Sequence, residues 1–162
     1  MGFTGALGGC NSCRQPAKLG GLLESDSLCQ DGVAQSADAR EKFILEFDFS
    51  QYVASVKLPV DFDRHLLERE ICRFMLLSLY GVEFELRAPH LDEVWHAMIL
   101  DTPRYFEFCR RAFGCYLHHA MTGADPECEP NFIELLTAYE LNFGELPPSE
   151  IWDIESMTQP TV

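Results

Sequence analysis

The sequence predicts a mainly α fold: a compact single-domain helical bundle with a flexible N-terminal arm. Three observations carry this expectation. Apolar residues between Glu41 and Phe143 recur at the three-and-four spacing of helix faces, prolines and glycines punctuate those stretches, and no alternating pattern orders itself into strands. With 162 residues, 47% of them hydrophobic and 23% charged, the chain can bury one core but not comfortably two.

Residues 1–40 read as the arm. They hold seven of the eleven glycines, scattered Ser, Gln and Asp, and no apolar periodicity to offset the entropy of ordering. Within them Cys10-Asn-Ser-Cys13 has the CxxC spacing of zinc and redox sites. Only Cys29 follows nearby, and no strand and helix flank the pair, so the expectation is ordinary thiols. Residues 41–155 read as the domain and 156–162 as a tail.

From Glu41, Phe43-Ile44-Leu45-Glu46-Phe47 followed by Tyr52-Val53-Ala54 and Val56 reads as a helix with a strand as its competitor, the length of the run favouring helix, and Pro59 stops it. Asp61 to Tyr80 is the clearest helix: His65-Leu66, Ile71, Met75 and Leu79 repeat at helical spacing, Asp61 and Asp63 suit its positive end, and Gly81 supplies a left-handed stop. Pro89 opens the next, with Leu91, Trp95, Met98 and Ile99 as its stripe, ending near Asp101. Thr102-Pro103 offers an N-cap and first-turn proline for a helix through Ala112, closed by Gly114, with Tyr105, Phe108, Cys109 and Ala112 inward. After a polar loop from Thr122 to Pro130, a last helix runs from about Asn131 to Phe143, with Phe132, Leu135, Leu136, Tyr139 and Phe143 inward and Gly144 as its stop.

Charge excludes whole classes of partner. Twelve Lys and Arg stand against 26 Asp and Glu, a formal net charge of -14, so nucleic acid and anionic membrane meet repulsion. Residues 113–162 contain no Lys or Arg and nine Asp and Glu, an asymmetry that favours a cationic ligand or a basic or amphipathic protein partner there. Oligomeric state is not readable from this pattern. Seven cysteines, an odd number, with no signal-peptide pattern, point to a reducing, cytoplasmic setting. The apolar run Phe74 to Val82 is too short for a membrane span, and Ala6 stands where a myristoylation signal wants Ser or Thr.

The residues that could carry chemistry cluster between Asp92 and His119. His96 lies one helical turn after Asp92, so a carboxylate can orient its imidazole. Glu93 and His96 form the Glu-x-x-His pair of carboxylate di-iron bundles, but it occurs once, without its second half. A mononuclear site built from His96, Cys109 and one of His118 or His119, with Asp92 nearby, has donors suited to zinc first, then iron or copper. Adjacent histidines diverge on a helix and face opposite sides of a strand, so only one of His118 and His119 is expected as a ligand. The competing reading makes the same residues a hydrogen-bonded polar and aromatic core, with Cys109 as a small hydrophobe. A Cys109 nucleophile lacks any sign of an oxyanion hole, and no phosphate-binding glycine loop appears.

The motif Leu91-Asp92-Glu93-Val94-Trp95-His96, followed by Tyr105, Cys109, Gly114 and His118-His119, resembles the hallmark of glycine-rich domain-containing protein-like (GRDP-like) sequences. Phe132 to Glu140, Phe143-Gly144 and Pro147-Pro148 to Trp152 are similar to the ending of small bacterial members. The resemblance covers roughly Glu41 to Trp152 and implies that Asp92, Trp95, His96, Tyr105, Cys109 and His118 share one framework, with Glu93 beside it. Many such sequences carry a second His where this chain has Met98, which removes one candidate ligand. The family brings no activity with it. Two functions stay open: a small domain binding a transition metal, with hydrolytic or redox chemistry if it is an enzyme at all, or a non-catalytic acidic interaction module whose Trp-His, Cys and His-His residues are structural.

Overall fold

In the computed structural model, residues 5–8, 36–82, 85–121 and 132–154 are described. Among them are six helices: α1 (Ala37–Leu45), α2 (Ser50–Ser55), α3 (Arg64–Leu79), α4 (Pro89–Leu100), α5 (Thr102–Ala112) and α6 (Phe132–Phe143). The mainly α expectation holds. Three short strands accompany the helices: β1 (Gly5–Gly8), β2 (Glu85–Leu86) and β3 (His118–Met121), in the antiparallel order β2-β1-β3. Gly5–Gly8, within the expected flexible arm, is the middle strand, and α1 begins inside residues 1–40. The alternating apolar signature was absent because a four-residue Gly-Ala-Leu-Gly strand carries only one large side chain. Cys10, Cys13, Cys29 and the loop from Thr122 to Pro130 lie outside the described residues.

Helix α3 is the hub. Asp63 caps it, its carboxylate accepting from the His65 and Leu66 amides at 3.0 and 3.1 Å, and Gly81 ends it at φ 76°. Leu67, Ile71, Phe74 and Met75 are buried, while His65, expected within the apolar repeat, is exposed. Helices α1, α2 and α4 pack around α3, and α5 joins α1 and α4. Phe74 meets Trp95 of α4 with ring centroids 5.2 Å apart.

The single helix expected across Glu41 to Val56 is instead two. Phe47 and Phe49 both pack on Phe108, at 4.7 and 6.0 Å between centroids. Residues two apart cannot share a helix face, so burying both rings against one partner requires the chain to leave helical geometry between α1 and α2. Asp48 stabilises that break by accepting the Ser50 amide at 3.0 Å.

Helices α4 and α5 follow the expected boundaries closely, with proline in the first turn of each. Thr102, expected as an N-cap, is instead the first helical residue of α5. The inward set Tyr105, Phe108, Cys109 and Ala112 is buried as predicted. Gly114 and Gly144 take φ of 74° and 73° after α5 and α6.

A buried carboxylate ties α6 and the segment after it to α3. Glu70 is fully buried, and its Oε2 accepts from the Tyr139 hydroxyl at 2.6 Å and the Trp152 indole at 2.9 Å. Its Oε1 accepts from Arg69 and Arg73, each at 3.2 Å, and Arg73 also reaches Glu145 at 2.6 Å. Four donors satisfy the carboxylate, which is what allows a charge to sit in the core.

Candidate metal centre

Asp92 sits on the buried face of α4, one turn before His96, and is itself 6% exposed. The Asp92 carbonyl lies 2.7 Å from His96 Nδ1, and because a carbonyl only accepts, Nδ1 carries the proton and Nε2 the lone pair when the ring is neutral. The Asp92 carboxylate is 3.4 Å from the same Nδ1 through Oδ2. Its other oxygen, Oδ1, lies 2.9 Å from Nε2 of His119, which comes from β3. The ligand atoms of Asp92, His96 and His119 all fall within 4.8 Å of one another. Among the described residues this is the one group of three or more His, Cys, Asp and Glu side chains close enough to hold an ion together.

Aromatic packing fixes the group. The His119 ring lies 4.5 Å from the Trp95 ring and 4.4 Å from the His96 ring, centroid to centroid. Trp95 is fully buried, and its indole N–H donates to the Tyr105 hydroxyl at 2.9 Å. Tyr105 in turn donates to the carbonyl of Leu117, the residue before β3, at 2.7 Å. Burial, followed by the neighbouring Cys109, pushes the Tyr105 hydroxyl far above its ordinary titration range, so it is a fixed donor and not an acid. Trp95 thus packs against the group, and Tyr105 ties Trp95 to the chain leading into β3.

Other expected site residues lie apart. Cys109 is 1% exposed but faces Tyr105 and Leu117, outside the Asp92, His96 and His119 group. Burial raises its thiol, partly offset by the Leu117 amide and the Tyr105 hydroxyl. His118 is exposed, its ring 4.8 Å from that of Tyr116, because alternation along β3 turns it away from the side that His119 faces. Glu93 is exposed on α4 and is not in the group.

The geometry defines a small helical domain with an Asp/His/His cluster at the junction of a helix and a strand. The chain belongs to the UCP032817-like family, which matches residues 39–127 and so contains the whole cluster. This overturns the resemblance to glycine-rich domain-containing proteins: the shared Trp-His, Tyr, Cys and His residues belong to a different family, and the tail motifs around Tyr139 and Trp152 lie beyond the matched segment. No curated protein and no solved structure matches the chain.

Among the described residues, no helix is long and apolar enough to cross a membrane. Cys72, Cys109 and Cys115 are free thiols.

Proposed function

We propose that this domain binds a single divalent transition-metal ion through Asp92, His96 and His119. The observation that carries the reading is the convergence of one carboxylate and two imidazoles, from α4 and from β3, around one point. The 2.9 Å contact between Asp92 Oδ1 and His119 Nε2 is close to the edge of a zinc tetrahedron, about 3.3 Å for bonds near 2.05 Å, and His96 offers the lone pair of its Nε2 while Nδ1 stays bonded to the Asp92 carbonyl. An ion can therefore replace the proton shared by His119 and Asp92 with little movement of the backbone, and uptake releases protons.

Two histidines and one carboxylate are the donor set of three-ligand zinc sites and of non-haem iron sites. With Cys109 facing elsewhere, no thiolate pulls the preference towards copper, so zinc comes first and iron second. The His96 side chain is 48% exposed, which leaves the outer side open to water, and a bound ion would supply Lewis-acid or water-activating chemistry there.

Elemental analysis of protein reconstituted with zinc tests this. The expected result is close to one equivalent bound, falling by about tenfold or more in Asp92→Asn and His119→Gln, with helical circular dichroism retained. Less than about a tenth of an equivalent in the unaltered chain, with none of it sensitive to these substitutions, would sink the reading.

A second reading is favoured by α6, where Ile133 and Leu141 are 78% and 81% exposed beside the exposed acids Glu134 and Glu140. Apolar and acidic groups alternating on one exposed helix suit a basic, amphipathic partner helix. Ile133→Ser with Leu141→Ser should abolish capture of such a peptide, and capture should weaken in high salt; indifference to both removes this reading.

A further inference from the structure

His119 and its two partners come from parts of the chain that do not pack on each other through a common helix. Asp92 and His96 ride on α4, which starts three residues after β2; His119 is the second residue of β3. In the sheet, β2 and β3 do not touch. The order is β2-β1-β3, and β1 pairs with β2 through Gly5 and Ala6 and with β3 through all four of its residues, Leu7 standing opposite His119. β3 is thus an edge strand whose ladder partner is β1 alone.

We infer that β1 is the strut that assembles the metal centre, so that ion binding and docking of Gly5–Gly8 are thermodynamically coupled. The inference rests on the metal reading for its ligand, and on the sheet order for its mechanism. Without β1, the backbone groups of His119 and its neighbours lose their inter-strand hydrogen bonds. His119 is then held against Asp92 by the side-chain bond at 2.9 Å, its ring contacts with Trp95 and His96 and the Tyr105 bond to Leu117, with no backbone ladder behind it. An isolated two-stranded pairing is marginal in water, and Gly5–Gly8 is only four residues long with glycine at both ends. Its docking is therefore sensitive to anything that fixes β3. An ion that binds only when His119 meets Asp92 and His96 favours the docked strand, and by reciprocity the docked strand favours the ion by the same factor. The N-terminal segment becomes a regulator of the site: whatever captures Gly5–Gly8 elsewhere releases the ion.

The test uses zinc as the probe and three chains: the unaltered protein, Leu7→Pro and Leu7→Ala. Proline in a middle strand removes a ladder donor and disrupts pairing, whereas alanine keeps the backbone donor. Zinc affinity is expected to fall about tenfold or more in Leu7→Pro and to stay within about threefold in Leu7→Ala. In zinc-free protein, amide exchange of residues 118–121 should accelerate in Leu7→Pro. In the unaltered chain, zinc should slow exchange at residues 5–8 as well as at 118–121, a readout that needs no variant to fold.

Equal zinc affinity in all three chains, or zinc protection confined to residues 92–121 with residues 5–8 unchanged, overturns the coupling while leaving the metal reading intact. If the unaltered chain takes up no zinc, the metal reading and the coupling fall together. Accelerated exchange of residues 118–121 in zinc-free Leu7→Pro would then still establish β1 as the support of His119.

Discussion

The indole of Trp95 and the hydroxyl of Tyr105 meet at 2.9 Å in the core, and through that hydroxyl the chain leading into β3 is tied to α4. A buried donor that is also a buried acceptor is hard to replace: both neighbours lose their partner when it goes.

Tyr105→Phe is expected to destabilise the domain by about 1–3 kcal/mol, because the Trp95 N–H and the Leu117 carbonyl are left with unmet hydrogen bonds in the core. Urea unfolding followed by tryptophan fluorescence measures it. The same substitution should weaken zinc uptake, since Leu117 immediately precedes the strand that carries His119. A variant as stable as the parent would mean the relay contributes nothing net.

Glu70→Ala is expected to cost about 3–5 kcal/mol, the range found when one partner of a buried ion pair is removed. Tyr139, Trp152, Arg69 and Arg73 all donate to this carboxylate. Thermal unfolding gives the stability, and a shift of the tryptophan emission reports release of the segment around Trp152. Loss of stability without any spectral change would argue that Glu70 does not anchor that segment.

Alkaline pH should destabilise the fold, and Cys72 sets part of the window. Burial raises its thiol from the ordinary 9.0 to about 11, so between those values the unfolded chain has released a proton that the folded chain still holds. With fewer protons bound in the unfolded state, stability is unaffected below about pH 9 and falls as pH rises from there towards about 11. Cys72→Ser should flatten this part of a stability profile measured by denaturant titration at each pH. An identical slope in both chains would rule Cys72 out as its source.

Two glycines with the same backbone angle should respond differently to alanine. At Gly144, φ 73°, a Cβ meets nothing within 4 Å, so Gly144→Ala carries only the left-handed backbone penalty of about 1 kcal/mol. At Gly114, φ 74°, a Cβ would stand 3.0 Å from Nη2 of Arg40, whose Nη1 donates to the Phe113 carbonyl at 3.0 Å. Gly114→Ala therefore strains the backbone and pushes on the side chain that satisfies the end of α5, and the larger loss of melting temperature is expected there.

Helix starts and stops were legible because their causes are local. Asp63, Pro89 and Pro103 act on their own first turns, and Gly81, Gly114 and Gly144 on the turn just behind them. The buried role of Glu70 was missed, although a signal exists: it stands three residues after Leu67 and four before Phe74, on the apolar face of α3. A charge on that face needs partners, and its partners Tyr139 and Trp152 are 69 and 82 residues away.

By itself the sequence determined the helical class, most helix boundaries, the inward face of α5 and the pairing of Asp92 with His96 across one turn. It also determined that His118 and His119 diverge, so that only one of them can reach a common site. Only the tertiary structure decided that His119 is the one turned inward, that Cys109 faces Tyr105 and Leu117 instead of the histidines, and that Gly5–Gly8 pairs between β2 and β3. The physical reason is range. Caps, turns and face periodicity act within a few residues of chain, whereas Asp92 meets His119 across 27 residues, and β3, which carries His119, pairs with a strand from the start of the chain.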